Sequence, residues 1–238
     1  MLPLKDDLPS RGNPYVNYAL IAINVLVFLY ELSLGKYLNA FILRYGVIPY
    51  EYTHFVDIYP PSAIPINLIT SMFLHGGLMH IGGNMLYLWI FGDNVEDAMG
   101  HTRYLLFYLI CGIAASFTHI IFSAGSKVPS IGASGAISGV LAAYLILYPK
   151  AGVLVLIPDP FTFGLFYRLA KIPALVVLSF WIVFQFSYGL LSLPASYGSK
   201  GGVAWFAHIG GFVTGLLLVK SFAKYKHLTP YYRYMSWT

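Results

Sequence analysis

The stretch "SIGASGAISG", Ser130–Gly139, introduces three serines and three glycines into an otherwise strongly apolar chain. Small residues allow membrane helices to approach each other closely, because no bulky side chain separates their backbones. The pattern continues with Ala142 and Ala143. We therefore predict a slim helix over 134–148 that occupies the centre of a helical bundle.

The chain around this stretch is too apolar to cover itself with a polar surface. Its 238 residues are 58% hydrophobic and 10% charged, with a mean hydropathy of +0.70, whereas a soluble domain carries about 25% charged residues. An integral membrane protein is therefore predicted. The formal net charge of +5 is modest and no long basic run occurs, so no nucleic-acid partner is expected. The single cysteine, Cys111, excludes an intrachain disulfide.

Six apolar segments are predicted to span the membrane, which takes about 20 residues of helix. They lie near 15–34, 77–98, 102–123, 134–148, 172–193 and 201–222. The predicted fold class is therefore all-α, a polytopic membrane bundle of six transmembrane helices. In this division 15–222 forms one domain, with tails at 1–14 and 223–238. No A-x-A-like site follows the first span, so we do not interpret it as a cleavable signal.

Two connections are rich in apolar or aromatic residues without being predicted as spans. The connection 35–76 contains many tyrosines and phenylalanines, which is typical of the membrane interface, so we predict a long interfacial outer loop. The segment 149–171 is interrupted by Pro149, Pro158 and Pro160, and proline breaks helices. We predict an interfacial hairpin there rather than a seventh span.

The distribution of basic residues predicts the orientation, because lysine and arginine are enriched in cytoplasmic connections. The side with both termini carries ten: Lys5, Arg11, Arg103, Lys150, Arg168, Lys171, Lys220, Lys224, Lys226 and Arg233. The other side carries four: Lys36, Arg44, Lys127 and Lys200. We therefore expect a multi-pass protein of the plasma membrane with both termini in the cytoplasm.

Polar residues occur near the starts of spans two, four and six, which this topology places at the outer face. They are His80, Asn84, Ser134 and His208. Because polar side chains are costly in lipid, these four are expected to face the bundle interior, where they can meet. At 1.5 Å per residue span four is about 22 Å long, which puts Ser134 about 8 Å below the outer surface. His208 lies about 10 Å down by the same rise.

The matching depth of Ser134 and His208 favours nucleophilic chemistry. A serine hydroxyl needs a base before it can attack a carbonyl, and imidazole is the usual one. At a helix N-terminus the dipole also favours developing negative charge. For Ser134 taken alone the alternative is an N-cap. Ser138 is expected to bond to its own helix backbone.

His80 and Asn84 share one helix face because they are four residues apart. Both can donate hydrogen bonds to an oxyanion, and the alternative is a packed polar pair that links helices. A metal site at His75 and His80 is not favoured, since the spacing is not H-E-x-x-H and no carboxylate accompanies them. Trp181 and Gln185, one turn apart, are expected to line the packing face of span five.

Four motifs carry a family resemblance when they are taken together. They are "SMFLHGGLMH" (Ser71–His80), "HIGGN" (His80–Asn84), "GASG" (Gly132–Gly135) and "AHIGGFVTG" (Ala207–Gly215). In this order and on these spans they resemble the rhomboid family of intramembrane serine proteases, and the spacing Gly92, Glu96, Gly100 fits as well. The resemblance covers roughly residues 15–222.

The resemblance implies a catalytic dyad in which Ser134 is the nucleophile and His208 the base. It also implies that His80 and Asn84 form the oxyanion hole with the backbone N–H of Ser134. No cofactor and no metal is implied for such a protease. The expected partners are single-span membrane proteins, as substrates, and the membrane lipid.

The same resemblance implies that Gly211 and Gly215 let span six pack closely on span four. The chain departs from the family in its first outer loop, which lacks a Trp-Arg pair, and at Ser138, where several members have an aromatic ring that stacks on the base. No acidic residue lies near His208 in the outer half, so we expect a dyad without an aspartate, unlike the three-residue template.

The predicted function is therefore an intramembrane serine endopeptidase that cleaves transmembrane segments near the outer face. Two alternatives from other classes remain at this point. One is a catalytically silent rhomboid-like protein that binds membrane spans, and the other is a transporter that uses buried histidines as a proton relay. The substrate, the oligomeric state and the group that orients His208 are not specified by the sequence.

Overall fold

Nine α-helices and three β-strands occur in the part of the chain that the computed structural model describes, residues 1–59, 61, 63–159, 166–192 and 204–224. The helices are α1 (Tyr15–Ser33), α2 (Leu38–Tyr45), α3 (Pro49–His54), α4 (Asn67–Thr70), α5 (Leu78–Met99), α6 (His101–Phe122), α7 (Ser134–Leu147), α8 (Ala174–Ser192) and α9 (Trp205–Phe222). The strands are β1 (Leu2–Asp6), β2 (Gly152–Pro158) and β3 (Tyr167–Pro173). The protein is thus mostly helical.

Each of the six segments predicted as spans contains one long helix, either α1 or one of α5 to α9. Three of these, α1, α6 and α9, are long and apolar enough to cross a membrane. The apolar helix α7 is shorter, and α5 carries three carboxylates near its C-terminal end. These apolar helices identify the chain as a membrane protein.

Helix α7 is the central element of the bundle, as its small residues predict. All its residues from Gly135 to Tyr144 are buried, and it packs against α5, α6 and α9. The contact with α9 is made by backbone: a side chain on Gly211 would overlap the carbonyl oxygen of Gly135, and one on Gly215 would come within 2.5 Å of the carbonyl oxygen of Gly139. Gly211 and Gly215 therefore lie where α9 meets the backbone of α7.

A three-stranded antiparallel sheet, in the order β1-β2-β3, corrects the all-α prediction. The segment 149–171 was expected only as an interfacial hairpin; its "GVLVLIP" stretch is β2, in which Val153 and Val155 are buried and their neighbours are not. Such period-two alternation of β-branched residues is a strand signal. The prediction also missed β1 in the tail 1–14. The hairpin tip, 160–165, lies outside the described residues, and the interfacial location stays a prediction.

The sheet is fastened to the end of the bundle opposite Ser134, which we call the sheet end. The hydroxyl of Tyr144 donates to the Asp6 carboxylate at 2.6 Å, and the side-chain amide of Asn94 donates to the same oxygen at 2.9 Å. Lys171 of β3 forms an ion pair with Asp7 at 2.8 Å. Asp6 therefore joins β1 to α5 and α7, and the next residue, Asp7, contacts β3.

The connection 35–76 is largely folded and supports the loop that precedes α7. It contains α2, α3 and α4 together with two short 3₁₀ turns, Gly35–Tyr37 and Ser71–Phe73. The backbone of Val47 exchanges two hydrogen bonds with that of Ser130, of 2.7 and 3.1 Å. Residues 60 and 62 of this connection, the start of predicted span six at 201–203 and the C-terminal tail from 225 onward lie outside the described residues.

Candidate active site

Two helices bring a serine and a histidine together at the Ser134 end of the bundle. Ser134 is the first residue of α7, and His208 is in the first turn of α9. The distance between Ser134 Oγ and His208 Nε2 is 2.7 Å, a hydrogen bond, and only 7% of the His208 surface is exposed. The close backbone contact of α9 with α7 at Gly211 and Gly215 brings the N-terminal turns of the two helices near each other.

The second ring nitrogen of His208 is also bonded, to a residue whose role the sequence analysis did not identify. His208 Nδ1 lies 2.7 Å from Oε1 of Gln185, which α8 presents to the bundle interior. An amide oxygen only accepts hydrogen bonds, so Nδ1 carries the proton and Nε2 presents its lone pair to Ser134. The sequence signal that could have identified Gln185 is its polar side chain in an otherwise apolar helix.

Aromatic rings flank His208 even though Ser138 provides none. The Trp181 ring lies 6.0 Å from the His208 ring, centroid to centroid, and the Trp205 ring lies 6.3 Å away at right angles. The hydroxyl of Ser138 instead donates to the carbonyl oxygen of Ser134 at 2.6 Å, which is the backbone bond expected for it. The imidazole is therefore confined by α8 and α9 rather than by α7.

Hydrogen-bond donors on α5 face the loop just before Ser134. The side-chain nitrogen of Asn84 is buried and has no acceptor among the described residues. The backbone N–H of Gly76 donates to His80 Nδ1 at 3.3 Å, so the neutral ring carries its proton on Nε2. Gly132 adopts a φ of +123°, and a side chain there would meet His80 Nε2 at 2.7 Å. The two donors and this loop thus lie in direct contact.

The first turn of α7 adds backbone donors to the same space. The N–H groups at the start of a helix have no acceptor within the helix, and that of Ser134 is among them. The side-chain amide of Asn84, which has no acceptor among the described residues, and the ring of His80 lie against Gly132, two residues before this N–H. Unsatisfied buried donors are costly, so an anionic or carbonyl oxygen is the group that this space accommodates best.

A buried carboxylate on α1 supports the donor side of the site from behind. Glu31, only 1% exposed, accepts the backbone N–H of His75 at 3.2 and 3.3 Å. The next residue, Gly76, is the one that bonds His80. The His75 ring packs edge-on against the His80 ring, with 5.1 Å between centroids. Sequence reasoning missed Glu31, which an acidic residue in an apolar span could have signalled.

A small cavity of about 20 Å³ opens beside Ser134. A water molecule needs about 10–15 Å³ of such space, so the cavity has room for one water. Its lining combines small and hydroxyl-bearing residues: Ser71, Gly112, Ala115, Ser116, Ser130 and Ala136. The space beside Ser134 is therefore narrow and lined mostly by short side chains.

Two other side chains with reactive or metal-binding groups, Cys111 and His119, have different partners. Cys111 is buried against Gly139 in the packed core, and His119 bonds weakly to Ser123 at 3.4 Å. In the part of the chain that the structure describes, no group of three histidine, cysteine, aspartate or glutamate side chains is close enough to hold a metal ion. The structure thus brings together Ser134, His208, His80 and Asn84.

Comparison with known proteins assigns the chain to a family. A family model for the Rhomboid domain matches residues 64–225. The chain is 34% identical over 151 residues to RHOMBOID-like protein 6, mitochondrial, of Arabidopsis thaliana, covering 63% of this chain and 41% of that protein. It is 32% identical over 145 residues to Rhomboid protein 1, mitochondrial, of Saccharomyces cerevisiae, covering 59% and 38%.

A third relative, Rhomboid protease GluP of Bacillus subtilis, is 35% identical over 137 residues, which cover 57% of this chain and 25% of that protein. The chain thus spans about two fifths or less of the length of these curated relatives. The matched domain, however, covers well over half of the sequence and contains all four residues of the site. The chain therefore belongs to the rhomboid family.

Proposed function

We propose that this chain is an intramembrane serine endopeptidase in which Ser134 and His208 form the catalytic dyad. The observation that carries the proposal is the 2.7 Å hydrogen bond between Ser134 Oγ and His208 Nε2, with the lone pair of Nε2 directed at the hydroxyl. The unsatisfied donor of Asn84 beside the same serine supports it. One relative, the protein from Bacillus subtilis, is named a rhomboid protease.

The proposed reaction proceeds through an acyl-enzyme. His208 Nε2 takes the proton of the Ser134 hydroxyl as Oγ bonds to the substrate carbonyl carbon. The carbonyl oxygen becomes an oxyanion and accepts hydrogen bonds from Asn84, His80 and the N–H of Ser134. When the peptide C–N bond breaks, His208 returns the proton to the leaving amine. In the second half of the reaction His208 takes a proton from water as the water oxygen bonds to the ester carbon. The proton then passes to Ser134 Oγ as the C–O bond to the serine breaks, which releases the acid.

The proposed arrangement in the membrane has α1 and α5 to α9 all crossing it, with both termini in the cytoplasm. Helix α5 has 22 residues, or about 33 Å, enough to cross a core of about 30 Å. Helix α7 has 14 residues, or about 21 Å, so Ser134 lies below the outer surface. We propose the plasma membrane; the names of two relatives raise a mitochondrial membrane as the alternative.

The proposed substrates are single-span membrane proteins that enter from the lipid. A regular helix hides its carbonyl groups in its own hydrogen bonds, so the segment must unwind before Ser134 can reach one. Glycine and proline weaken a helix and ease that opening. The small residues around the cavity favour a small side chain, such as alanine, just before the cut. Cleavage near the outer end of the span is expected.

Incubation of the purified protein with a panel of single-span substrates tests this function. Wild type is expected to cut near the outer end of the span, as located by mass spectrometry of the products. Ser134→Ala is expected to abolish cleavage, while Ser123→Ala, a serine at the end of α6, serves as the matched control. Substantial cleavage by Ser134→Ala, or cuts that map to the cytoplasmic end, would contradict the proposal.

A further inference from the structure

Gln185 is a buried polar residue of α8, and because it is buried its side chain needs a hydrogen-bond partner within the protein. The residue is 7% exposed, whereas its neighbours Phe184 and Phe186 are 43% and 51% exposed. A buried amide without a partner is costly. Gln185 satisfies its side-chain oxygen with the ring N–H of His208 rather than with its own helix backbone.

We infer that Gln185 is the positioning residue that orients the base of this active site, and the inference rests on the proposed function. By accepting the Nδ1 proton, Gln185 selects the tautomer in which Nε2 carries the lone pair, and it fixes the rotation of the ring. The ring then points Nε2 at Ser134 Oγ over 2.7 Å. In a dyad without an aspartate, this neutral amide occupies the place of the orienting carboxylate.

The other groups around His208 cannot take over this role. Trp181 and Trp205 flank the ring, but an indole N–H is a donor only and accepts nothing from Nδ1. Among the described residues the hydrogen-bond partners of the His208 ring are Gln185 and Ser134, and neither is a carboxylate. Without Gln185 the imidazole keeps its packing but loses the bond that distinguishes its two nitrogens.

Gln185→Met tests the inference, because methionine has a similar length and shape but lacks the amide oxygen. Leaving a buried N–H without its acceptor is expected to lower kcat about 10- to 100-fold. KM should change less than about threefold, since Gln185 touches the base and not the substrate. The rate at which a fluorophosphonate labels Ser134 should fall in parallel, because that reaction needs the same proton transfer.

Two further variants separate positioning from packing. Gln185→Glu keeps an acceptor oxygen at the same reach and should recover most of the rate that Gln185→Met loses. Ser187→Ala, two residues along α8, removes a hydroxyl that bonds only its own helix and is the matched control, expected to cleave like wild type. Should Gln185→Met fail to fold, Gln185→Asn, whose amide is too short to reach Nδ1, is expected to show the same loss of kcat.

The outcomes distinguish this inference from the proposed function. A wild type that neither cleaves any substrate nor is labelled at Ser134 would overturn the function itself. A wild type that cleaves, together with a folded Gln185→Met or Gln185→Asn that keeps the full kcat, would overturn only the role of Gln185. A parallel loss in Gln185→Met and Gln185→Glu at native melting temperature would likewise show that the acceptor oxygen is not what matters.

Discussion

The two ends of α7 satisfy their polar groups in different ways. At the sheet end Tyr144 donates to Asp6 at 2.6 Å, and the Tyr148 hydroxyl donates to the carbonyl oxygen of Asn94 at 3.3 Å. At the Ser134 end the serine bonds to a histidine, while the amide nitrogen of Asn84 has no acceptor among the described residues. One end is therefore closed by internal hydrogen bonds, and the other retains capacity for a further oxygen.

This difference distinguishes a structural polar cluster, around Asp6, from a candidate binding site, around Asn84. Buried polar groups are bonded in nearly all native structures, so an unsatisfied one calls for an explanation. The Asp6 cluster has its acceptors and donors matched and serves to attach the sheet. The Asn84 amide has no such match, and a substrate carbonyl that becomes an oxyanion would complete it. The following predictions test this contrast, beginning with the largest expected effect.

Gly211→Ala should prevent the Ser134 end from assembling. A methyl group there would overlap the carbonyl oxygen of Gly135, and backbone cannot give way as a flexible side chain can. Overpacking of this kind costs typically 1–3 kcal/mol and occasionally more. We expect a large loss of folded protein, read from the melting temperature in detergent, together with loss of activity.

Gly82→Ala is the control for Gly211→Ala, since it lies in a helix with nothing within 4 Å of the added methyl. Alanine is about 1 kcal/mol better than glycine inside a helix, so its melting temperature should stay or rise. Equal melting temperatures for Gly211→Ala and wild type would show that α7 and α9 are not held by backbone contact.

The two asparagines of α5 offer a direct comparison of the two ends. Asn84→Ala should reduce kcat by about 10²–10³, the loss typical of one oxyanion donor, with little change in melting temperature because the amide has no protein acceptor. Asn94→Ala removes the donor to Asp6 and should lower the melting temperature instead, with kcat per folded molecule unchanged. If Asn84→Ala destabilised the protein and left kcat intact, the assignment of the two ends would be reversed.

Asp6, at the sheet end, should make the stability of the protein modestly dependent on pH. Burial raises the pKa of its carboxyl from 3.8 to about 6, partly opposed by the Tyr144 hydrogen bond. Because the folded protein binds this proton more tightly than the unfolded chain, stability contributed by the protonated form is lost as the pH rises from about 4 through 6. The melting temperature of wild type should therefore fall across this range more than that of Asp6→Asn, which keeps an acceptor for Tyr144.

Asp57→Asn, in a different segment, controls for the loss of one carboxylate. The measurement is the melting temperature at about pH 4 and about pH 7, the lower edge of the range in which Asp6 titrates (about 4 to 6) and a value above it. An equal change of melting temperature with pH in Asp6→Asn and wild type would contradict the assignment of this pH dependence to Asp6. The kcat of Asp6→Asn should match that of wild type at neutral pH, because Asp6 contacts neither Ser134 nor His208.

The long helices and the proximity of Ser134 and His208 could be predicted from the sequence because their signals are local or periodic. Long apolar runs mark α1 and α6, and the small residues of α7 mark the helix that others approach closely. Ser134 and His208 could be paired because their predicted depths below the outer membrane surface are similar, which places them at one level along the membrane normal. Gly211 and Gly215 could be identified as packing residues because close contact between helices requires small residues.

The contacts that the sequence could not predict involve partners far apart in the chain. Gln185 and His208 are 23 residues apart, and Glu31 and His75 are 44 apart; no spacing rule links such pairs. The strand β1 was missed because five residues at a terminus carry little periodicity, and pairing with β2 decides their conformation. Tertiary contact, rather than propensity, determines these elements.

Labelling with a fluorophosphonate tests the central claim most directly, because it reports an activated serine without requiring knowledge of the substrate. The purified wild-type protein should acquire one adduct, located by mass spectrometry on Ser134, and His208→Ala should remain unlabelled although it folds. Folded wild-type protein that acquires no adduct, or acquires it on another serine, would contradict the account.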